Sequence, residues 1–376
     1  MPVFEPNSII YLFTIVVSVA LAFTVNPGLI LLWPLLLLID DIAYFFFSRS
    51  IFDTEIGIQR GYQFAEWFLH NQFGHGRDLG FNLYDGNLTK SRHQGQQDKW
   101  DFMLEKLGLK PGDKLIDIGC GYGDWLNYAR SKGIEVVGVN ISPEQSHAAR
   151  QNYGLEIITS NWKDIPTTSA LRERLYGQFD AVTFMDTVEH YVPSKYRKHE
   201  EKQIEIYTNM FEMAHNLLKE SQSPTRAPDQ RIFVSCLHMI VSPKTLGYYF
   251  ACYLQTRFHS GFYPNADHDL VRCASAYFTE LERHDKTEDY RLTSVLDSEH
   301  FGSPTIRWTP KKVGRAVLAF LLDPHHLHKW LEYRVDAWMW HFGPDAYNQN
   351  YDNEYQKTRR HVTLWWLVLQ KRPSTV

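Results

Sequence analysis

Apolar and polar positions divide this chain into stretches of different kind. From Ser8 to Val25 there is no charge over 18 residues, about 27 Å as a helix and close to the thickness of a bilayer's hydrocarbon layer. After an Asn26-Pro27-Gly28 turn a second apolar run, Gly28 to Ile39, is too short to span alone. Extending it to Phe47 takes in Asp40 and Asp41, at roughly 2.5 to 3.5 kcal/mol each near mid-membrane. The pattern predicts an N-terminal membrane helix, or a helical hairpin with a shallow second limb. Met1 to Asn7 has no Lys or Arg, so the basic start of a cleaved signal is missing and a retained anchor is expected. From Phe52 to about Trp100 aromatics and histidines follow no clean period and read as helix and loop covering the next unit.

From Lys99 the period changes. A helix through Phe102 to Leu107 and a Lys110-Pro111-Gly112-Asp113 turn lead into short β-rich runs alternating with helical ones. The strands expected are Lys114 to Ile118, Glu135 to Asn140, Glu156 to Thr159, Phe179 to Met185 and Arg231 to Leu237. This alternation predicts an α/β, doubly wound, Rossmann-like parallel sheet that binds ligands at the carboxyl ends of its strands. Ser221 to Gln230 reads as a polar loop, Ser242 to about Asn350 as aromatic and helical, and Val362 to Leu369 as a buried strand completing the sheet. The division expected is an anchor at 1–50, a helical cap segment at 51–100, a core at 101–240, a substrate lid at 241–350 and a C-terminal strand region at 351–376.

Composition removes several function classes. The formal charge is −4, with 39 basic and 43 acidic residues spread along 376 positions, so no basic field attracts nucleic acid. Aromatic residues make up 15% and include 11 Trp, a content suited to apolar or cationic ligands. Cys120, Cys236, Cys252 and Cys273 show no CxxC spacing, which favours a reducing compartment and argues against structural zinc. His325, His326 and His328 lack a Cys or acidic partner at ligand spacing, so no metal site is expected.

The chemistry concentrates around Leu115 to Ala129, LIDIGCGYGDWLNYA. Gly119, Gly121 and Gly123 lack a Cβ and let the backbone approach a ligand closely where a helix begins. Their spacing is GxGxG rather than the dinucleotide GxGxxG. Asp117 before them would repel a pyrophosphate but can hold a cationic amino-acid moiety. S-adenosylmethionine fits this arrangement and NAD does not.

The segment Lys99 to His190 resembles the cyclopropane-fatty-acid synthase family of S-adenosylmethionine-dependent methyltransferases, and the resemblance continues more weakly to about Trp308. The chain is also similar to plant coclaurine N-methyltransferases and fungal sphingolipid methyltransferases. In Val137 to Gln145, VGVNISPEQ, Asn140 and Gln145 stand at family positions that serve the cofactor. Read from the residues alone, Asn140 is also an ordinary strand-end turn residue. Trp162 in NWKDI matches a tryptophan that stacks beside adenine, with Asp164 near the adenine amino group. In FMDTVEHY, Glu189 and His190 match the family's reacting pair, and His238 in LHMI matches a histidine that helps hold bicarbonate. Phe301 stands where the family has a tyrosine at the bicarbonate site, and Asn82 in GFNLYDG is expected to face the same place. The resemblance thus implies a class I methyltransferase fold, with bicarbonate as a possible second cofactor.

Together these readings give a membrane-anchored methyltransferase acting on a lipid, an unsaturated acyl or sphingoid chain undergoing C-methylation or cyclopropanation. Tethering raises the effective concentration of a substrate that stays in the bilayer. An N-methyltransferase of a small amine would keep Glu189 and His190 and need no bicarbonate. A non-catalytic membrane adaptor that retains the fold is the further alternative, kept open by Phe301. The catalytic part is expected to face the cytosol, where the sequons at Asn87 and Asn140 stay bare. Oligomeric state is not legible.

Overall fold

The computed structural model describes residues 6–32, 80–87, 89–196, 199–220, 229–239, 270–293 and 362–373, with isolated positions that include Tyr62 and Pro264. Helix α1, Pro6–Thr24, carries no charged residue and is followed by a short 3-10 turn, Pro27–Leu31. Asn26 starts that turn by accepting the Gly28 N–H on its side chain. Phe13, Val16 and Phe23 of α1 are exposed. Among the described residues no helix is long and apolar enough to cross a membrane, so the expected membrane span is not supported.

The globular part begins with α2, Arg92–Leu107. The Ser91 side chain caps its first turn by accepting from Gln94 N, and Gly108, in the left-handed region, closes its last. The helix therefore starts well before the run Phe102 to Leu107 in which the sequence displayed it. Its first half is polar, and only Trp100, Met103 and Leu107 among its large apolar side chains are buried.

Strands β1 (Lys114–Ile118), β2 (Glu135–Asn140) and β3 (Glu156–Thr159) occupy the expected ranges. Between them run α3, Asp124–Ser131, and α4, Pro143–Tyr153, and beyond them α5, Asp164–Thr167, and α6, Ser169–Leu175. Strand β4 covers Ala181–Met185, and Phe179, expected to open it, forms an isolated bridge with Leu218. After α7, Glu200–Leu217, strand β5 extends over Arg231–Met239 and so includes His238. Its eight residues from Ile232 onward are all buried, as expected for a central strand covered on both faces.

The sheet has seven strands in the order β3-β2-β1-β4-β5-β7-β6. The strand order reverses between β1 and β4, and a doubly wound sheet opens its ligand crevice at such a point. β1 to β5 are parallel, but β7, Val362–Lys371, lies antiparallel between β5 and β6, Phe278–Asp285. The sheet is therefore mixed, which corrects the expectation of a parallel sheet closed by one last strand. β6 also corrects the reading of Ser242 to about Asn350 as helical. It is an edge strand in which only Phe278 is buried and charged residues occupy both the partly buried and the exposed positions after it, with a bulge between Glu280 and Glu282, so it shows no apolar run.

β7 is held by more than its ladder. The Lys371 side chain is fully buried, and its Nζ donates to the carbonyls of Leu218 and Lys219 and to the Glu220 carboxylate. The core on both faces of the sheet includes Trp366, Phe184, Phe211, Phe233 and Met103.

Candidate active site

The three glycines after β1 serve different ends. A Cβ on Gly119 would meet Thr187 Cγ2 at 2.3 Å, and one on Gly123 would meet Leu155 Cδ1 at 2.6 Å. At these two positions protein already fills the space a Cβ would take. Gly121 differs. Its φ is +53° and nothing lies within 4 Å of a Cβ built there. A backbone turn with that open side can receive a ligand at the start of α3.

Polar groups at the strand ends hold this turn. Buried Asp117 of β1 accepts a 2.7 Å hydrogen bond from Thr183 Oγ1 of β4, and Trp125 Nε1 donates to the same hydroxyl. At the end of β2, Asn140 Nδ2 donates to the Gly121 carbonyl at 3.3 Å and to Gln145 Oε1 at 3.1 Å. Asn140 and Gln145 thus brace the glycine turn and each other, and both are buried. Ser142 caps α4 by accepting from Gln145 N, which fixes the Gln145 backbone.

Buried Trp162, after β3, packs at 4.9 Å and 31° against Tyr191, which follows the end of β4. Asp164 is less available than expected. Its Oδ2 accepts from Ser160 Oγ and Asn161 N, so the carboxylate closes a local turn on an exposed surface.

The end of β4 sits directly beside the glycine turn. Thr187 abuts Gly119, and its hydroxyl bonds the Ile118 carbonyl and the Tyr191 hydroxyl. A short 3-10 turn, Val188–His190, then presents the Glu-His pair. Glu189 is buried, its Oε1 accepts from Leu237 N of β5 at 2.7 Å, and its Oε2 has no hydrogen-bond partner among the described residues. Burial first, and the neighbouring Asp186 carboxylate second, push the Glu189 carboxyl up to about 8. At neutral pH it is therefore held largely as the neutral acid.

The sequence reading passed over Asp186. It adopts φ 52°, a left-handed conformation uncommon for a side-chain-bearing residue. Ser235 of β5 donates to its Oδ1, and the Phe81 N–H donates to its Oδ2 at 3.3 Å. The Phe81 contact brings the stretch from Gly80 to Gly86 to the end of β4, where Asn82 was expected. Asn82 is fully buried, its N–H donates to Thr293 Oγ1, and its side-chain amide has no partner among the described residues. Asp289 holds the same stretch by accepting from the N–H groups of Tyr84 and Asp85.

His190 and His238 are differently placed. His190 Nε2 lies 2.7 Å from the Tyr62 hydroxyl. His238 is fully buried in β5, its Nδ1 donates to the Cys236 carbonyl at 3.0 Å, and its ring lies 4.4 Å from that of Trp365 in β7. Phe301, Trp308, the aromatic segments 248–262 and 330–342 and the histidines at 325, 326 and 328 lie outside the described residues. No group of metal-ligating side chains occurs among the described residues.

With this geometry established, the comparisons are specific. A family model described as "Mycolic acid cyclopropane synthetase" matches residues 84–226. The cyclopropane-fatty-acyl-phospholipid synthase of Escherichia coli K12 is 37% identical over 105 residues, 27% of this chain and 25% of the relative. The sphingolipid C9-methyltransferase of Candida albicans is 29% identical over 140 residues, 35% of this chain and 26% of the relative. The matched part thus spans about a quarter of the length of these curated relatives. Among solved structures, the cyclopropane synthase MmaA2 of Mycobacterium tuberculosis superposes with a TM-score of 0.58 at 15% identity, covering 83% of this chain and 98% of that one. That likeness establishes the fold. Residues 84–226, which hold the glycine turn and the Glu-His pair, match that family model, and the chain shares the fold of that solved cyclopropane synthase.

Proposed function

We propose that this chain is an S-adenosylmethionine-dependent methyltransferase acting on a membrane lipid, an unsaturated acyl or sphingoid chain that undergoes C-methylation or cyclopropanation. The observation that carries the reading is the open side of Gly121, at the strand-order reversal where Thr187 joins the glycine turn to Glu189. The residues present suit a cationic donor. Asp117 and Glu189 offer carboxyl groups, Asn140 and Gln145 brace the turn, and Trp162 offers an aromatic face. When bound, the donor supplies a methyl group on a positively charged sulfur.

The chain's own part is alignment, exclusion of water and management of one proton. Gly121 leaves room for the donor at the start of α3, and Tyr191 with Trp162 closes the side toward β3. Glu189, neutral while the site is empty of cations, ionises as positive charge arrives, because attraction then offsets its burial. Glu189 and His190 are the groups we assign to the acceptor, with His238, next in β5 to the Leu237 that bonds Glu189, as the third. Bicarbonate fits less well. The Asp186 carboxylate already opposes ionisation of Glu189, and a further anion beside them would meet the same repulsion. No step is assigned to it.

That carboxyl pair also favours a second reading, in which the acceptor is an amine. Asp186 and Glu189 together would hold an ammonium product. In both readings we assign 101–240 as the core and 351–376 as the strand region that completes the sheet, with the parts of 51–100 and 241–350 outside α2 and β6 as cover over the site. We further assign the charge-free α1 and the following apolar turn to contact with a bilayer, with the core on the cytosolic side, where the donor is made.

Equilibrium dialysis with labelled S-adenosylmethionine tests the donor site. Wild-type protein should bind, and Gly121→Val should not. Absence of wild-type binding, or unchanged binding in the variant, overturns the reading. Mass spectrometry of lipids and of amines incubated with the enzyme then separates the two acceptors by which pool gains one methylene.

A further inference from the structure

Tyr62 and His190 are 128 residues apart in sequence, and the fold sets the phenol hydroxyl 2.7 Å from the imidazole Nε2. The rings meet edge-on, with centroids 5.5 Å apart and planes at 71°. Tyr62 is helical and half-buried. A contact of this length does two things to an imidazole. It fixes the ring's rotation, and it decides which nitrogen carries the proton in the neutral form.

The direction of the bond follows from what else the phenol can bond. Burial above all raises the phenol's pKa well beyond that of an ordinary tyrosine, so the hydroxyl keeps its proton. A protonated phenol could donate or accept here, but among the described residues it makes no other hydrogen bond, so donation to Nε2 is the arrangement that leaves its own hydrogen paired.

We propose that Tyr62 is a positioning residue for His190: its hydroxyl donates to Nε2, fixes the ring over the carboxyl end of β4 and keeps the imidazole proton on Nδ1. The role of His190 in methyl transfer rests on the proposed function, whereas the proton's location does not. A side chain that reaches the core from far upstream thereby sets the state of a group at the reacting centre. Simple packing of two rings would need no hydroxyl.

The test is ¹⁵N NMR of histidine-labelled full-length protein, with the His190 signals assigned by comparison with His190→Asn. In wild type, Nε2 should resonate as an unprotonated, hydrogen-bonded nitrogen and Nδ1 as a protonated one. Tyr62→Phe keeps the ring and removes the hydroxyl, so the two signals should move toward an average of both tautomers. A wild-type proton on Nε2, or unchanged His190 signals in Tyr62→Phe, overturns the proposal. The wild-type spectrum needs no variant to fold, and neither spectrum needs activity, so the proposed function can fail without deciding this result. In the active enzyme Tyr62→Phe should lower kcat roughly tenfold, the scale of one lost hydrogen bond, with KM for S-adenosylmethionine changed by less than about twofold. A loss expressed only in KM would count against positioning.

Discussion

Glu189→Gln should change how stability depends on pH in a way that few carboxyl substitutions do. Folding raises the Glu189 carboxyl from its ordinary 4.5 to about 8, by burial and then by Asp186. Between these values the folded chain holds a proton that the unfolded chain has released. The contribution is fully present below about pH 4.5 and is lost as pH rises toward the folded value. By linkage one extra bound proton gives a slope of about 1.4 kcal/mol per pH unit through that window. Gln matches the neutral acid in shape, and its carbonyl can still accept from Leu237 N, as Glu189 Oε1 does. Near pH 5 the two proteins should therefore differ by no more than about 1 kcal/mol. Toward pH 8 the variant should gain on wild type steadily. The assay is urea denaturation of both proteins at half-unit steps of pH, read as the difference between them so that other titrating groups cancel. Parallel curves from pH 5 to 8 would show that Glu189 is ionised in the folded protein and would refute the electrostatic account of the site.

Other substitutions probe separate parts of the argument. Asp186→Asn removes the second cause of the shift and leaves burial, so the pH window of Glu189 should narrow from its upper end, and an unchanged window would deny the coupling. Gly119→Ala should cost roughly 2 to 4 kcal/mol, since its Cβ meets Thr187 at 2.3 Å and its φ is +88°. Gly121→Ala, with open space and φ +53°, should cost only about 1 to 2 kcal/mol. Equal losses by thermal denaturation would mean that the two glycines do not differ as described. Lys371→Met strips a buried ammonium from the Leu218 and Lys219 carbonyls and should lower stability by about 1 to 3 kcal/mol in denaturant titration. A change below about 0.5 kcal/mol would mean that this bond does not fasten β7.

Much of the central sheet was legible because its signals are local. The runs at Lys114 to Ile118 and Glu135 to Asn140 are short, apolar and bounded by turns, and both became strands at those limits. The glycine turn could likewise be located from its spacing, whereas the Glu-His pair stood out only by its match to a family motif. The final strand was visible as VTLWWLVL because both of its faces are covered.

What only the tertiary structure decided depends on residues far apart in the chain. β6 is a charged sheet edge with a single buried residue, Phe278, and only its pairing with β7 shows it to be a strand. The glycines at 119, 121 and 123 look alike in sequence, but Thr187 and Leu155 fill the space beside two of them and leave the third open. Asp186 shows no sign in sequence of its left-handed backbone or of its contacts with Phe81 and Ser235. Nor does Tyr62 announce its bond to His190. Local periodicity determines which elements form, because helix and strand geometry depends on near neighbours. The charge state and open space of the site come from burial and from groups brought together across the fold, which only the assembled chain specifies.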